Sequence, residues 1–305
     1  MSEHWARNNT GLHVTGGSVQ VGGDVNAVQH NHANVRESLA SADRRAGRPT
    51  DVGILTVLPL EMRAVAEMLS RVPDHRIEQI YGGRTVHRAT FAAEGGPLRV
   101  VAAQALQPGT HSASSAYREL RQHFAPPLVL LVGIAGGIRP DISVGDVILA
   151  DEVILYDSRQ ETEAGPRRRG RTQATAAVLL NRVNDFLVRH GPVVHAGSDE
   201  SFHVHRGPVG SGNAVVTDEG SAIRSWLTEV HQKTLAVETE AAGVAEAFYE
   251  EIAADRALRG WMTVRGISDR ADRHKGHADH ALAARHAALV VERFLPYLRL
   301  VEDAR

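Results

Sequence analysis

Apolar runs and amphipathic stretches alternate along most of the chain. Residues 51–57 (DVGILTV) are apolar almost throughout, the pattern of a strand buried on both faces. In residues 61–71, Val65, Met68 and Leu69 fall on one side of a helix. The same reading predicts strands over 85–90, 98–103, 128–133, 146–150, 193–197, 208–211, 234–237 and 262–267. Helices are predicted over 113–124, 174–190, 221–231, 239–254 and 279–295, the last stopped near Pro296. This order predicts an α/β fold with a central, mixed, mostly parallel twisted sheet flanked by helices. In such sheets ligands bind where strands end and loops begin.

Residues 1–33 break the pattern. Gly11, Gly16, Gly17, Gly22 and Gly23 punctuate a background of Val, Asn, Gln and His with almost no charge. The segment is too glycine-rich for an ordinary core and reads as a β-prone or disordered leader. Residues 34–50 turn to Arg, Ser, Ala and Asp and read as a linker, which leaves 51–305 as the globular domain.

The 305 residues are 43% hydrophobic, enough for a large core. Lys plus Arg total 34 against 36 for Asp plus Glu, a net charge of −2, so no global charge draws the chain to nucleic acid or an anionic membrane. There is no cysteine, which excludes disulfides, thiolate metal sites and a thiol nucleophile. The longest nearly uncharged apolar stretch, residues 126–138, is short of the roughly 20 residues that span a bilayer. The first residues show neither the basic nor the apolar region of a secretory signal, so a cytoplasmic location is expected.

Four segments end predicted strands: 58–61 (LPLE), 132–137 (VGIAGG), 237–242 (VETEAA) and 264–272 (VRGISDRAD). Together with 138–151 (IRPDISVGDVILAD) and 207–216 (GPVGSGNAVV), and in this order, they resemble the nucleoside phosphorylase superfamily. The resemblance covers roughly 51–295 and is closest to the nucleosidase branch typified by methylthioadenosine/S-adenosylhomocysteine nucleosidase. It implies cleavage of the bond between ribose and a purine base. That bond breaks through an oxocarbenium-like transition state, so the base leaves protonated while a nucleophile approaches the other face of the sugar. Two separated carboxyl groups can do both.

By this resemblance Asp269 protonates purine N7, and Glu61 positions and activates the attacking water. Glu240 takes the ribose 2′- and 3′-hydroxyls, with Glu238 in support. Ala135 and Gly136 lie along base and ribose, the Val216 backbone reads the purine edge, and Ser268 and Thr239 complete the substrate contacts. Thr239 stands where the family usually has Met, which removes an apolar floor under the sugar. Taken singly, these residues have plainer readings: Asp269 as a strand-end cap, Glu61 and Glu240 as acids at helix N-termini favoured by the dipole.

Phosphorylases of the family hold phosphate with an Arg just before the glycine loop and a Ser within it; Leu131 and Ile134 occupy those positions here. Apolar side chains cannot hold a phosphate nucleophile, so water is the expected one. The implied chemistry needs no cofactor and no metal. The spacings His274, His277, His280 and His203, His205 could suggest a metal, but 17 histidines make such pairs common by chance. Two enzymatic alternatives are a housekeeping methylthioadenosine/S-adenosylhomocysteine nucleosidase and a phosphate-dependent phosphorylase. Outside enzymes, the alternative is a signalling adaptor that senses a nucleoside without turning it over.

Arg167, Arg168, Arg169 and Arg171 form a charge run that reads either as a solvated loop or as a clamp on phosphates beyond the ribose 5′ carbon. In the second reading Lys275 and His274 contribute, and the substrate is AMP or ATP. Finally, Val19, Gln20, Val21 and Gly22 match the core tetrad of the RIP homotypic interaction motif. They resemble the amyloid signalling motifs that precede effector domains in immune proteins. Alternate valines can form a dry zipper, Gln20 and Asn26 can stack as amide ladders, and no proline interrupts residues 1–48. This resemblance implies a homo-oligomer, or recruitment by a signalling partner with a matching motif, and a role in antiviral defence by depleting a purine metabolite. The plainer reading is a leader with no role of its own.

Overall fold

A computed structural model of the chain describes residues 12–15, 18–21, 50–198, 200–273 and 276–300. Its contacts divide the chain into two units, Met1–Arg48 and Pro49–Arg305. In the first, β1 (Leu12–Thr15) and β2 (Ser18–Val21) pair antiparallel, with Leu12 opposite Val21 and Val14 opposite Val19. Gly22 lies outside the described residues.

The second unit opens with β3 (Val52–Thr56), buried along its whole length as its apolar sequence requires. Proline at the first helical position starts α1 (Pro59–Ser70). There follow β4 (Arg76–Gln79), β5 (Thr85–Ala93), β6 (Gly96–Gln104), α2 (Thr110–Phe124), β7 (Leu128–Gly137) and β8 (Val147–Leu155). A hairpin of β9 (Arg159–Thr162) and β10 (Gly165–Arg168) leads to β11 (Arg171–Ala174), α3 (Ala177–His190), β12 (Val193–His195) and β13 (Ser201–Ser211). The chain then forms α4 (Ala222–Val230), β14 (Ala236–Glu238), α5 (Ala241–Glu251), β15 (Gly260–Asp269) and α6 (His280–Phe294). Among the described residues, no helix is long and apolar enough to cross a membrane.

The main sheet runs β11-β8-β13-β14-β7-β3-β6-β5-β4, and β15 pairs with both β7 and β8. That double pairing closes β7, β15, β8, β13 and β14 into a ring, while β3 to β6 extend outward as an open sheet. The sheet is mixed, as expected: β3 is parallel to β6 and β7, and β15 to β7, whereas β14 meets β7 antiparallel. Alternation along the strands builds two apolar layers. Val52, Ile54, Leu128 and Leu130 face α1, α3 and α6; Leu55, Val57, Val129 and Leu131 face α2 and α5. Helix α6 lies close against β15: a methyl group at Gly266 would overlap the Ala283 carbonyl, so only glycine lets that helix lie where it does.

Strands β4, β9, β10 and β11 escape the sequence reading because they are short, charged and largely exposed, with no apolar period to mark them. The predicted strand over 208–211 is the buried end of a longer β13, whose first half carries His203, His205 and Arg206.

One detail of the pairing sets up the site. Along one edge of β7, β3 pairs with Leu128 to Leu131 and β14 pairs only with Gly136 and Gly137. Between them, among the described residues, no strand pairs with this edge of β7, and a side chain fills the gap.

Candidate active site

That side chain is Glu61. Its Oε1 accepts a hydrogen bond from Ile134 N at 2.9 Å, while Oε2 accepts from Val57 N at 2.9 Å and Leu58 N at 2.7 Å. One oxygen thus caps the start of α1, the plainer reading of this residue, and the other completes the interrupted ladder of β7. Burial raises the Glu61 pKa above the ordinary carboxylate value, opposed by the Arg265 guanidinium and the Leu58 N–H.

Glu61 lies in a cleft of about 230 Å³ where β3, β7, β14 and β15 end. Its walls include Ala135, Gly136, Val216, Glu238, Thr239, Glu240, Ser268 and Asp269, all singled out in the sequence. They also include Pro108 and Tyr156, which the sequence reading missed, and His280, which it named only within a metal spacing.

Arg265 was missed as well. It sits in the middle of β15, fully buried, and donates from Nη2 to Glu238 and, at 3.4 Å, to Glu240 Oε2. Glu238 further accepts from Glu240 N at 3.1 Å and Ala241 N at 2.9 Å, at the head of α5. Glu240 Oε1 accepts from Gly109 N at 3.2 Å and from the Thr239 hydroxyl. Thr239, in place of the family's Met, therefore holds the neighbouring carboxylate. Burial raises the Glu238 pKa, with Arg265 acting against it. Arg265 Nη1 and Nε make no hydrogen bond among the described residues, so this guanidinium has donors to spare. The signal for it was present: an arginine inside the apolar run WMTVRGI must be buried, and a buried charge must be paired.

Asp269 ends β15, on the opposite edge of β7 from Glu61, and is only 7% exposed. Ser268 Oγ donates to its Oδ2 at 2.8 Å and Ala271 N to its Oδ1 at 2.8 Å. The glycines of β7 make room for both acids. A Cβ at Gly133 would overlap Arg265 Nη1 and Glu61 Oε1, and one at Gly136 would stand 2.8 Å from Asp269 Oδ1. At these two positions what approaches the backbone is the protein's own charged side chains.

The Tyr156 hydroxyl reaches Ala214 O at 2.7 Å and Gly212 O at 2.9 Å, which ties down the loop carrying Val216. Burial, then the Glu238 charge, push its pKa upward and keep it a neutral donor.

The arginine run stands apart from this group. Among the described residues lining the cleft, none of Arg167, Arg168, Arg169 or Arg171 appears. Arg168 donates to Tyr156 O at 2.9 Å, Arg171 pairs with Glu246 at 3.2 Å, and Gly170 packs beneath Trp226. Arg168 is thus the member of the run that touches the cleft wall, and Arg167, Arg169 and Arg171 are exposed. Lys275 and His274 lie outside the described residues. Of the other histidines, His205 Nε2 is 3.0 Å from Asp146 Oδ2, and His277 and His280 approach through their Nδ1 atoms at 3.4 Å.

Mixed sheet, interrupted β7 edge and carboxylate-lined cleft define an α/β protein with a polar site at its strand ends. Residues 51–299 match the phosphorylase superfamily, and the chain belongs to that superfamily. It is 26% identical over 263 residues to the ATP nucleosidase Cap17 of Escherichia coli (strain KTE188), an alignment covering 80% of this chain and 50% of that protein. The chain thus spans about half the length of the Cap17 relatives it matches. In fold it is similar to the 5′-methylthioadenosine/S-adenosylhomocysteine nucleosidase of Neisseria meningitidis solved with methylthio-immucillin-A. The TM-score is 0.62 at 20% identity, covering 81% of this chain and 99% of that one. The futalosine hydrolase of Helicobacter pylori strain 26695 gives a TM-score of 0.64 at 18% identity, covering 80% and 97%.

Proposed function

We propose that the chain is an N-glycosidase that hydrolyses the bond between ribose and adenine, with an adenine nucleotide such as ATP as substrate. The observation that carries this is the placement of Glu61 and Asp269 on opposite edges of β7 at one cleft, with Glu238, Glu240 and Arg265 between the strands. Asp269 gives a proton to the departing base. Glu61 orients a water against the other face of the sugar and takes its proton. Glu240, fixed by Thr239 and Gly109, accepts from the ribose hydroxyls, and Arg265 holds Glu238 and Glu240 in place from within the fold.

Three glutamates share one guanidinium, and with Asp269 on the other edge of β7 they make a cleft that favours a cationic, oxocarbenium-like sugar and repels a phosphate nucleophile. Water is the nucleophile on the same ground. An ATP substrate is supported by the likeness to Cap17 and by the arginine run, which Arg168 ties to Tyr156. The test is release of free adenine from ATP, AMP, adenosine and methylthioadenosine, with and without phosphate. ATP is expected to be the best substrate and phosphate to be without effect. Equal rates with adenosine would remove the phosphate clamp; no adenine from any of them would leave the sensing adaptor.

The raised Glu61 pKa carries its own consequence. Its base form exists only above that value, so kcat/KM falls as pH drops through a limb lying above the ordinary carboxylate range. A pH–rate profile checks this, and a limb at the value of a solvated glutamate would contradict it.

We further propose that β1 and β2 nucleate self-assembly, or pairing with a matching partner, since an isolated two-stranded ribbon is marginal alone. A peptide of residues 11–35 is expected to form thioflavin-positive fibrils that Val19→Asp with Val21→Asp abolishes. A peptide that stays monomeric at high concentration refutes this. An immune effector that depletes a purine nucleotide once assembled is the role these parts fit.

A further inference from the structure

Arg224, on the first turn of α4, reaches away from its own helix to three backbone carbonyls. Nη2 donates to Ile138 O at 2.8 Å; Nη1 donates to Arg270 O at 3.3 Å and Ala271 O at 3.4 Å. Ile138 directly follows β7, and Arg270 and Ala271 directly follow β15, so one guanidinium ties together the exits of the two strands that flank the leaving-group side of the cleft. Its helix is itself well anchored. Ser221 Oγ caps it by accepting from Ile223 N at 3.2 Å, and Ile223 and Leu227 pack with Ile138, Tyr156, Val216 and Ala271 in one small apolar cluster.

The turn that Arg224 holds is strained. Ala271 has φ 49°, in the left-handed region that disfavours any residue with a Cβ. The conformation aims the Ala271 N–H at Asp269 Oδ1, and Ala271 sits so close to β7 that a Cβ at Gly136 would stand 2.9 Å from its own. A strained residue persists only where its surroundings over-determine it, and such residues gather at functional sites.

We propose that Arg224 is a positioning residue for the Asp269 carboxyl: by clamping the carbonyls of Ile138, Arg270 and Ala271 it keeps the left-handed turn that fixes Asp269 beside the base. The inference rests on the reading of Asp269 as the acid. An arginine suits the task because its fork of donors serves carbonyls from two chain segments at once, which a lysine ammonium cannot match in geometry.

The experiment compares Arg224→Met, Arg224→Lys and Arg224→Met with Ala271→Gly, in the full chain, by kcat, KM and thermal midpoint. Arg224→Met is expected to lower kcat by about 10- to 100-fold, the scale of a misplaced reacting group, with KM within about twofold. Arg224→Lys recovers part of the loss. Ala271→Gly recovers part as well, because glycine holds the left-handed turn without a clamp. A wild-type kcat in Arg224→Met overturns the inference, as does a loss that Ala271→Gly leaves untouched. If Arg224→Met fails to fold, Arg224→Lys is read by the same kcat and KM. Asp269→Asn separates the two levels. Full activity there overturns the acid assignment itself, whereas an inactive Asp269→Asn beside a fully active Arg224→Met overturns only the role of Arg224.

Discussion

Asp269→Asn is expected to lower kcat for adenine release by about a thousandfold, within the usual range for loss of a general acid, while KM and the thermal midpoint stay near wild type. The reason lies in the two hydrogen bonds of this carboxyl. Asparagine keeps an oxygen for the Ala271 N–H, and its amide can donate to the Ser268 hydroxyl, which turns its own proton toward Ala135 O, 3.3 Å away. The fold is thereby spared. What asparagine cannot do is release a proton to the departing base, so it can hydrogen-bond N7 in the ground state and still fail in the transition state. A variant that keeps more than a tenth of wild-type kcat would show that the leaving group departs without this acid. Loss of the thermal midpoint along with activity would show that Asp269 is structural.

Arg265→Met is expected to be the most destabilising substitution in the site, costing about 3–5 kcal/mol at neutral pH, as for other buried ion pairs broken from one side. Methionine fills much of the volume but leaves Glu61, Glu238 and Glu240 buried together with no counter-ion. Glu61 and Glu238 already have raised pKa values because of burial, with Arg265 opposing the rise in both. A carboxyl whose folded pKa is raised stabilises the fold at low pH and gives up that contribution as pH rises through the raised value. Without Arg265 the rise grows, so the variant should recover stability as pH is lowered toward 5, and Glu238→Gln in the same chain should recover part of it at neutral pH. Urea unfolding at two pH values measures both. An Arg265→Met as stable as wild type at neutral pH would mean that the three acids do not depend on their shared cation.

Much of this site is legible as residue types in the sequence, for identifiable reasons. Glu61, Glu238, Glu240 and Asp269 stand at ends of apolar runs, and run ends are where an α/β sheet opens to ligands. Tyr156 lies beyond the strand predicted over 146–150, Pro108 lies in the loop between β6 and α2, and His280 was named only within a metal spacing. Arg224 is hidden as well: on α4 it reads as an ordinary surface arginine, and only the approach of two strand exits supplies its three carbonyls. The arginine run shows the opposite case. Its local chemistry suggested phosphate, while its location is set by Tyr156, Trp226 and Glu246, which come from three separate parts of the chain.

The sequence by itself determined the alternation of strands and helices, the division near residue 50 between a glycine-rich leader and an apolar-cored domain, and the inventory of acids at strand ends. These follow from local period, turn chemistry and composition, which act over a few residues. Only the tertiary structure decided that β15 bridges β7 and β8 into a ring and that β7 keeps an unpaired edge for Glu61. It also decided that Gly133 and Gly136 yield space to side chains, and that one buried arginine serves three acids. Those outcomes depend on which distant strands pair and how closely their side chains must then pack, and no local pattern encodes either.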